Sequence, residues 1–172
     1  MSPSPLVRDV MRIGVPTCRA EQPVSAIAAQ MLDEGCTALV VLDAEGDTRG
    51  WISEARLAAA YARVSQTFEA SETSKVSRPL SAADIMDEDV PECPADIPLP
   101  AAAQIMADMA VDHLFFLHHA GGRAWPAAVL SLRDLVRALA GPEYLREQGV
   151  AAPRPTPMEL FRQRYGLPKQ KG

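Results

Sequence analysis

The feature that most constrains this chain is a repeat, because one pattern occurs twice, 75 positions apart. Asp9-Val10-Met11 returns as Asp84-Ile85-Met86. The same spacing relates Pro16, Cys18, Ala20 and Pro23 to Pro91, Cys93, Ala95 and Pro98. A tandem duplication explains these matches. Two copies of so small a unit usually stack to bury their apolar faces, so the cleft between them is a natural place for a ligand.

The spacing changes within each copy. It is 75 up to Gly46 and Gly121, but Trp51-Ile52-Ser53 meets Val129-Leu130-Ser131 at a spacing of 78. The second copy has therefore gained three residues in its predicted hairpin. Insertions at hairpin tips are tolerated because the turn backbone sits in water.

Each copy has the apolar pattern of a helix followed by two short strands and a second helix. In the first copy, a stripe of helical period begins after Pro23, ends at Gly35 and consists of Val24, Ile27, Ala28 and Met31. Two short runs, 38–42 and 50–53, predict a β-hairpin, and a helix should begin near Glu54.

The second copy repeats this pattern. A helical stripe runs from Leu99 to Met106, strands are expected near 113–118 and 126–131, and a helix near 132–140 should stop at Gly141-Pro142. The predicted order in each copy is strand, helix, strand, strand, helix. The expected fold class is α+β.

These features resemble the cystathionine-β-synthase (CBS) domain, which occurs in tandem as a CBS pair or Bateman module. The resemblance lies in the leading motifs that end at Met11 and Met86, the strands after each first helix, and the closing segments 52–57 and 130–135. It covers residues 6–141 and implies two β-α-β-β-α repeats packed as a pseudo-twofold Bateman module. The expected division is repeat 1 at 1–64, a mobile linker at 65–81, repeat 2 at 82–141 and a Pro-rich tail at 142–172.

The resemblance also implies an adenosine-nucleotide site in the cleft. In the family, an apolar-(S/T)-x-x-D motif lies at a strand end and the first helical turn, where its carboxylate can accept hydrogen bonds from a ribose diol. The second copy keeps the motif as Ser131 and Asp134, whereas the first has Ser53 and Arg56. The other candidate ligand-binding residues are His113, Asp112, Glu92, Thr17, Thr37 and Ala38.

Structural explanations compete with these functional ones. Ser131 followed by Asp134 also describes an ordinary helix N-cap. Arg56 has only hydrogen-bond donors, so the site of the first copy is either empty or converted to a contact for a phosphate or a carboxylate. Arg56 would equally suit a solvated helix face.

Composition excludes several classes of protein. The net charge of −5 and pI of about 5.2 argue against nucleic acid as the main partner. No apolar stretch approaches the roughly 20 residues of a membrane span, and there is no signal-peptide pattern, so we expect a cytoplasmic protein without membrane association. Cys18, Cys36 and Cys93 lack C-x-x-C spacing, which favours reduced thiols and no metal site.

The tail has its own helix signal. Thr156, Pro157 and Glu159 form a capping-box pattern, and the stripe of Met158, Phe161 and Tyr165 is too short to be stable alone in water. We expect this helix to pack on the module or on a second subunit.

No catalytic motif is recognisable, which favours a protein that is not an enzyme. We expect a stand-alone CBS-pair regulatory module, a homodimer that requires no cofactor and passes a signal to an unidentified regulated protein. Its possible ligands are AMP, ADP, ATP or S-adenosylmethionine. The alternative is a structural homodimerisation module with degenerate nucleotide sites.

Overall fold

The computed structural model describes residues 4–69 and 78–147. The elements, in chain order, are α1 (Val7–Val10), β1 (Arg12–Ile13), β2 (Thr17–Arg19), α2 (Val24–Glu34), β3 (Ala38–Leu42), β4 (Thr48–Ser53), α3 (Glu54–Glu69), α4 (Ala82–Ile85), α5 (Leu99–Met109), β5 (His113–Ala120), β6 (Arg123–Ser131) and α6 (Leu132–Glu147). This sequence of elements confirms the predicted mixed fold with two copies of one β-α-β-β-α pattern.

The strands form two three-stranded sheets, ordered β2-β3-β4 and β1-β6-β5. β2 pairs with β3 in parallel, and β3 with β4 antiparallel. β1 adds to the second sheet by pairing antiparallel with β6. In the second copy, the expected leading strand is reduced to one parallel bridge between Glu92 and Phe115.

Helices α2 and α5 begin and end at equivalent positions. Each has a proline at its N-cap, Pro23 or Pro98, whose fixed φ suits the entry to a helix. α2 ends at Gly35 in the left-handed region, with φ of 60°. At the matching end of α5 the chain places Ala110 in the same conformation, with φ of 53°, which is strained for a residue with a Cβ.

The chain forms two compact units that do not coincide with the sequence copies. The first-copy unit comprises residues 15–69, 78–90 and 117–126, and the second-copy unit comprises residues 4–14, 91–116 and 127–147. The leading segment of each copy, residues 4–14 in the first and 78–90 in the second, therefore belongs to the unit built on the other copy. Matching hydrogen bonds fix both segments, since the Val7 amide donates to Ile97 O at 3.0 Å and the Ala82 amide to Gln22 O at 2.9 Å.

Each unit has its own apolar core. In the first-copy unit, Ala82 and Ile85 of the leading segment join a buried cluster around Ile27, Leu39 and Ile52. In the second-copy unit, Val7 joins Met106, Leu114 and Leu130. Because these leading residues are at most 2% exposed, the apolar faces of each copy are completed by residues distant in sequence.

Two predicted boundaries differ from those observed. The linker was expected from residue 65, but α3 continues to Glu69 because the run from Glu54 contains no glycine or proline. Helical conformation breaks at Gly141 as predicted, with φ of 82°, and resumes through Glu147. Residues 70–77 of the predicted linker and the predicted tail helix (157–165) lie outside the described residues.

The hairpin with the three-residue insertion has longer strands. β5 and β6 have 8 and 9 residues, compared with 5 and 6 in β3 and β4. The far end of this hairpin packs within the first-copy unit, where Arg123 Nε lies 2.8 Å from Asp47 Oδ1 and Thr48 Oγ1 donates to Ala124 O at 2.9 Å. The longer hairpin therefore makes specific contacts with the β3–β4 hairpin.

Candidate functional site

In the second-copy unit, the candidate site centres on the junction between β6 and α6. Ser131 ends the strand and Asp134 lies in the first helical turn, and each residue is only 3% exposed. Asp134 Oδ2 accepts the Ser131 backbone N–H at 2.9 Å and the Ser131 hydroxyl at 2.6 Å. The arrangement is a reciprocal N-cap, since the Asp134 amide points at Ser131 Oγ at 3.4 Å.

Two arginines flank the Asp134 carboxylate. Arg12 Nε from β1 lies 3.5 Å from Oδ2, and Arg137 Nη1, one turn along α6, lies 3.4 Å from Oδ1. Oδ2 is thus surrounded by donors, whereas among the described residues Oδ1 has this one long contact. Because a carboxylate oxygen can accept two hydrogen bonds, Oδ1 retains capacity for a further donor.

The other predicted residues of this unit lie at the start of β5. His113 is buried, and its Nδ1 lies 2.8 Å from Asp112 Oδ1. The Asp112 carbonyl accepts the first amide of α6, from Leu132, at 3.0 Å, which places this pair beside the N-terminus of α6. Glu92 is exposed and bridges to Phe115, whose ring stacks on His113.

In the first-copy unit, the equivalent junction between β4 and α3 carries different chemistry. Ser53 is buried and caps the helix, its Oγ accepting the Arg56 amide at 3.3 Å. The Arg56 side chain turns to Asp87, with Nη2 2.5 Å from Oδ2, and both side chains are 41% exposed. The guanidinium thus contacts a carboxylate of the chain itself.

The remaining predicted residues of the first-copy unit are held mainly by the backbone. Thr17 pairs with Val40, and its carbonyl accepts Gln30 Nε2 at 3.0 Å. The Thr37 carbonyl accepts the first amide of α3, from Glu54, at 3.1 Å. Ala38 is buried and pairs with Ser53 across β3 and β4.

Sequence reasoning missed two residues that contact the candidate residues at these junctions, Arg12 and Asp87. A signal was present, because they are repeat equivalents 75 positions apart with opposite charges. Arg56 and Asp134, 78 positions apart, show the opposite exchange. Two complementary exchanges at equivalent positions indicate a contact.

The described residues bear on two other kinds of feature, metal clusters and membrane-spanning helices. No group of three or more His, Cys, Asp and Glu side chains there could hold a metal ion, and no helix among them is long and apolar enough to cross a membrane. A cavity of about 340 Å³ in the first-copy unit is lined by residues that include Pro23, Arg78 and Ser81. None of its lining residues belongs to the candidate site.

The family model of the CBS domain matches residues 7–63 and 82–141. No curated sequence is detectably similar to the chain. Among solved structures, the CBS domain pair of protein MJ0100, in complex with 5'-methylthioadenosine and S-adenosyl-L-methionine, is similar with a TM-score of 0.65 and 18% identity over 81% of this chain and 98% of that chain.

Two further structures are similar to the chain. The CBS-domain containing protein ATU1752 from Agrobacterium tumefaciens has a TM-score of 0.65 and 22% identity, covering 80% of this chain and 96% of that one. CBSX2 in complex with AMP has a TM-score of 0.58 and 18% identity, covering 80% and 98%. At these identities the likeness establishes the fold.

Proposed function

Because the chain belongs to the CBS domain family, we propose that it is a CBS-pair regulatory module that binds one adenosine-containing ligand in the second-copy unit and signals to a partner protein. The observation that carries this proposal is the Asp134 carboxylate at the N-terminus of α6. Ser131 holds its Oδ2 at 2.6 Å, and Oδ1 has a single contact, at 3.4 Å, within the part of the chain that the structure describes.

The chemistry of this junction suits a ribose. The two hydroxyls of a ribose diol are donors, and a carboxylate is the acceptor that makes the stronger, charge-assisted hydrogen bonds with them. His113, Asp112 and Glu92 are the further proposed contacts, because they lie along the start of β5 beside α6. That MJ0100 holds 5'-methylthioadenosine and S-adenosyl-L-methionine and CBSX2 holds AMP supports an adenosine ligand.

The charges around the candidate site indicate which of the candidate ligands should bind more tightly. The candidate site of the second-copy unit includes three acids, Glu92, Asp112 and Asp134, but only two arginines, Arg12 and Arg137, which flank Asp134. This balance disfavours a ligand with several phosphates, since like charges that approach in a partly desolvated site repel each other. We therefore expect S-adenosylmethionine or AMP to bind more tightly than ATP.

A thermal-shift and calorimetry series with AMP, ADP, ATP and S-adenosylmethionine tests the proposal. A ligand at about 100 times its Kd should stabilise the fold by about 2.7 kcal/mol, with one site per chain. Asp134→Asn, which keeps the shape but not the charge, should weaken binding at least about tenfold. Asp96→Ala, an exposed acid of the same unit, is the control. Two equivalent sites, or an unaffected Asp134→Asn variant, would contradict the proposal.

We also propose that the module is a homodimer. Three apolar side chains of α6, Leu132, Val136 and Leu139, are 48%, 63% and 87% exposed at helical spacing. A stripe of this kind on one helix is typical of an interface between subunits. The occupant we propose is a second copy of this chain.

The same stripe favours the alternative function, a structural homodimerisation module. Val136→Glu with Leu139→Glu should give a monomer by light scattering, whereas Leu32→Glu, at an 81% exposed position of α2, should not. If the wild type is dimeric and none of the four ligands stabilises it, the structural alternative replaces the regulatory one.

A further inference from the structure

The two units contain the same ion pair with its partners exchanged. In the first-copy unit the arginine is on the helix and the acid on the leading segment, with Arg56 Nη2 2.5 Å from Asp87 Oδ2. In the second-copy unit the acid is on the helix, and Arg12 Nε lies 3.5 Å from Asp134 Oδ2. The spacings of the repeat relate Arg12 to Asp87 and Arg56 to Asp134.

The backbone around the pair is the same in both units. Arg12 pairs with Val129 in an antiparallel ladder, and Asp87 makes an antiparallel bridge with Trp51, the repeat equivalent of Val129. Ser53 and Ser131 cap their helices alike, accepting helix amides at 3.3 and 3.4 Å. The charges have changed places on an equivalent backbone frame, so the two junctions differ in the hydrogen bonds that they can accept.

We propose that this ion pair determines which copy binds a ribose diol. Arg12 is the positioning residue of Asp134, and the reversed pair Arg56–Asp87 is the reason that the first copy binds no diol. The proposal rests on the proposed function, since it assumes that Asp134 accepts from a ribose. Beyond that function, Arg12 orients the Asp134 carboxylate, and in the first copy Arg56 stands where the carboxylate would be.

The contacts of Arg12 fit a positioning role. Its Nε is buried, and among the described residues it has no hydrogen-bond partner, although the Asp134 carboxylate lies 3.5 Å away. A buried carboxylate needs a nearby opposite charge. Ser131 holds Oδ2 through its hydroxyl and its amide, and the Arg12 charge lies on this same side of the carboxylate. Oδ1, with Arg137 Nη1 at 3.4 Å, is the oxygen that would accept from a ligand.

In the first-copy unit, the helix position presents donors only. A guanidinium cannot accept a hydrogen bond from a ribose hydroxyl. The acid has moved to Asp87 on the leading segment, where Arg56 engages it directly. The junction that would face a diol is therefore satisfied within the chain.

The test is discrimination between AMP and 2',3'-dideoxy-AMP, measured by calorimetry on the full chain. The wild type should prefer AMP by about tenfold, the size expected for losing hydrogen bonds to a charged acceptor. Arg12→Gln should reduce this preference to near one, and Arg12→Lys should retain part of it. Arg8→Gln, an exposed arginine of the same leading segment, is the control. A merely structural role for Arg12 would lower the melting temperature and leave the ratio unchanged, which would overturn the proposal.

A reciprocal exchange tests the first-copy unit. Arg56→Asp combined with Asp87→Arg should raise the number of AMP molecules bound per chain from one to two, while Arg56→Asp alone, which sets two acids together, should leave it at one. A double variant that folds and still binds one AMP would overturn this part of the proposal. Failure of the wild type to bind any adenosine ligand would instead remove the proposed function itself.

Discussion

Arg56 and Asp87 are joined by a 2.5 Å ion pair in the first-copy unit, at the place where the second-copy unit has Asp134 and Arg12. The surroundings of the two pairs differ. Both side chains of the Arg56–Asp87 pair are 41% exposed, whereas the Asp134 side chain is 5% exposed. Because water screens exposed charges but a buried carboxylate depends on its protein partners, the two pairs should differ in their effect on stability.

Asp134→Ala should therefore lower the free energy of unfolding by about 1–3 kcal/mol, since the buried Ser131 hydroxyl and amide lose their acceptor. Arg56→Ala should cost less than about 1 kcal/mol, the usual value for an exposed pair. Urea denaturation of both variants without ligand measures the difference. Equal losses would mean that Asp134 is not a structural cap.

The exchanged pair also depends on a glycine. A Cβ at Gly50 would lie 2.5 Å from the Asp87 carbonyl oxygen, and the backbone of Asp87 is held by hydrogen bonds to Trp51 at 2.9 and 3.0 Å. Gly50→Ala should push the Asp87 backbone away, weaken its contact with Arg56 and cost about 1–3 kcal/mol.

The control for this prediction is the repeat equivalent of Gly50, Ala128, which is 2% exposed and pairs with Ile13. Ala128→Gly removes a buried methyl group but creates no clash, so it should cost roughly 0.5–1 kcal/mol. Chemical denaturation measures both. A Gly50→Ala variant as stable as the wild type would show that the Asp87 segment can move freely.

The order of elements could be predicted because it depends on local pattern. The stripe after Pro23, the hairpin runs and the helix start at Glu54 are each set by residues close in sequence. The serine and aspartate at 131 and 134 were also found, since a cap and its acid are three positions apart. Patterns of this kind can be recognised in the sequence without knowledge of long-range contacts.

The assignment of segments to units could not be predicted in this way. Val7 and Ala82 are apolar residues in short leading segments, and nothing near them specifies that each completes the core of the other copy's unit. The contact of Arg12 with Asp134 was hidden for the same reason, because the two residues are more than a hundred positions apart. Comparing the two copies for charge exchanges would have found it.

The cysteines provide a test of core integrity. Burial raises the pKa of the Cys18 thiol to about 12 and raises that of Cys93 as well. The thiolate, which is the reactive form, is therefore disfavoured in the folded state. All three cysteines are buried, so reaction with a thiol reagent should follow the rate of opening of the core.

We expect labelling of the native protein at pH 8 to be far slower than in urea, and to accelerate in parallel with unfolding. Ser25→Cys, at an exposed position of α2, supplies a control thiol that should react at once. Rapid reaction of Cys18 or Cys36 under native conditions would show that the core around Ile27 and Leu39 is open. Rapid reaction of Cys93 would show the same for the core around Leu114 and Leu130.

The helix ends offer a matched pair of substitutions. Gly35 and Ala110 occupy equivalent C-caps with φ of 60° and 53°, and in both the amide points back to the last turn of the helix. The left-handed region costs an alanine about 1–2 kcal/mol, while glycine loses about 0.5–1 kcal/mol of additional entropy on folding.

Ala110→Gly should therefore stabilise the fold by about 0.5–1 kcal/mol, and Gly35→Ala should destabilise it by a similar amount. A Cβ at Gly35 would meet no atom within 4 Å, so the backbone alone determines the sign. Thermal and urea denaturation of the two single variants and of the exchanged double variant measure the effect. Destabilisation by Ala110→Gly would mean that its methyl group makes a contact outweighing the strain.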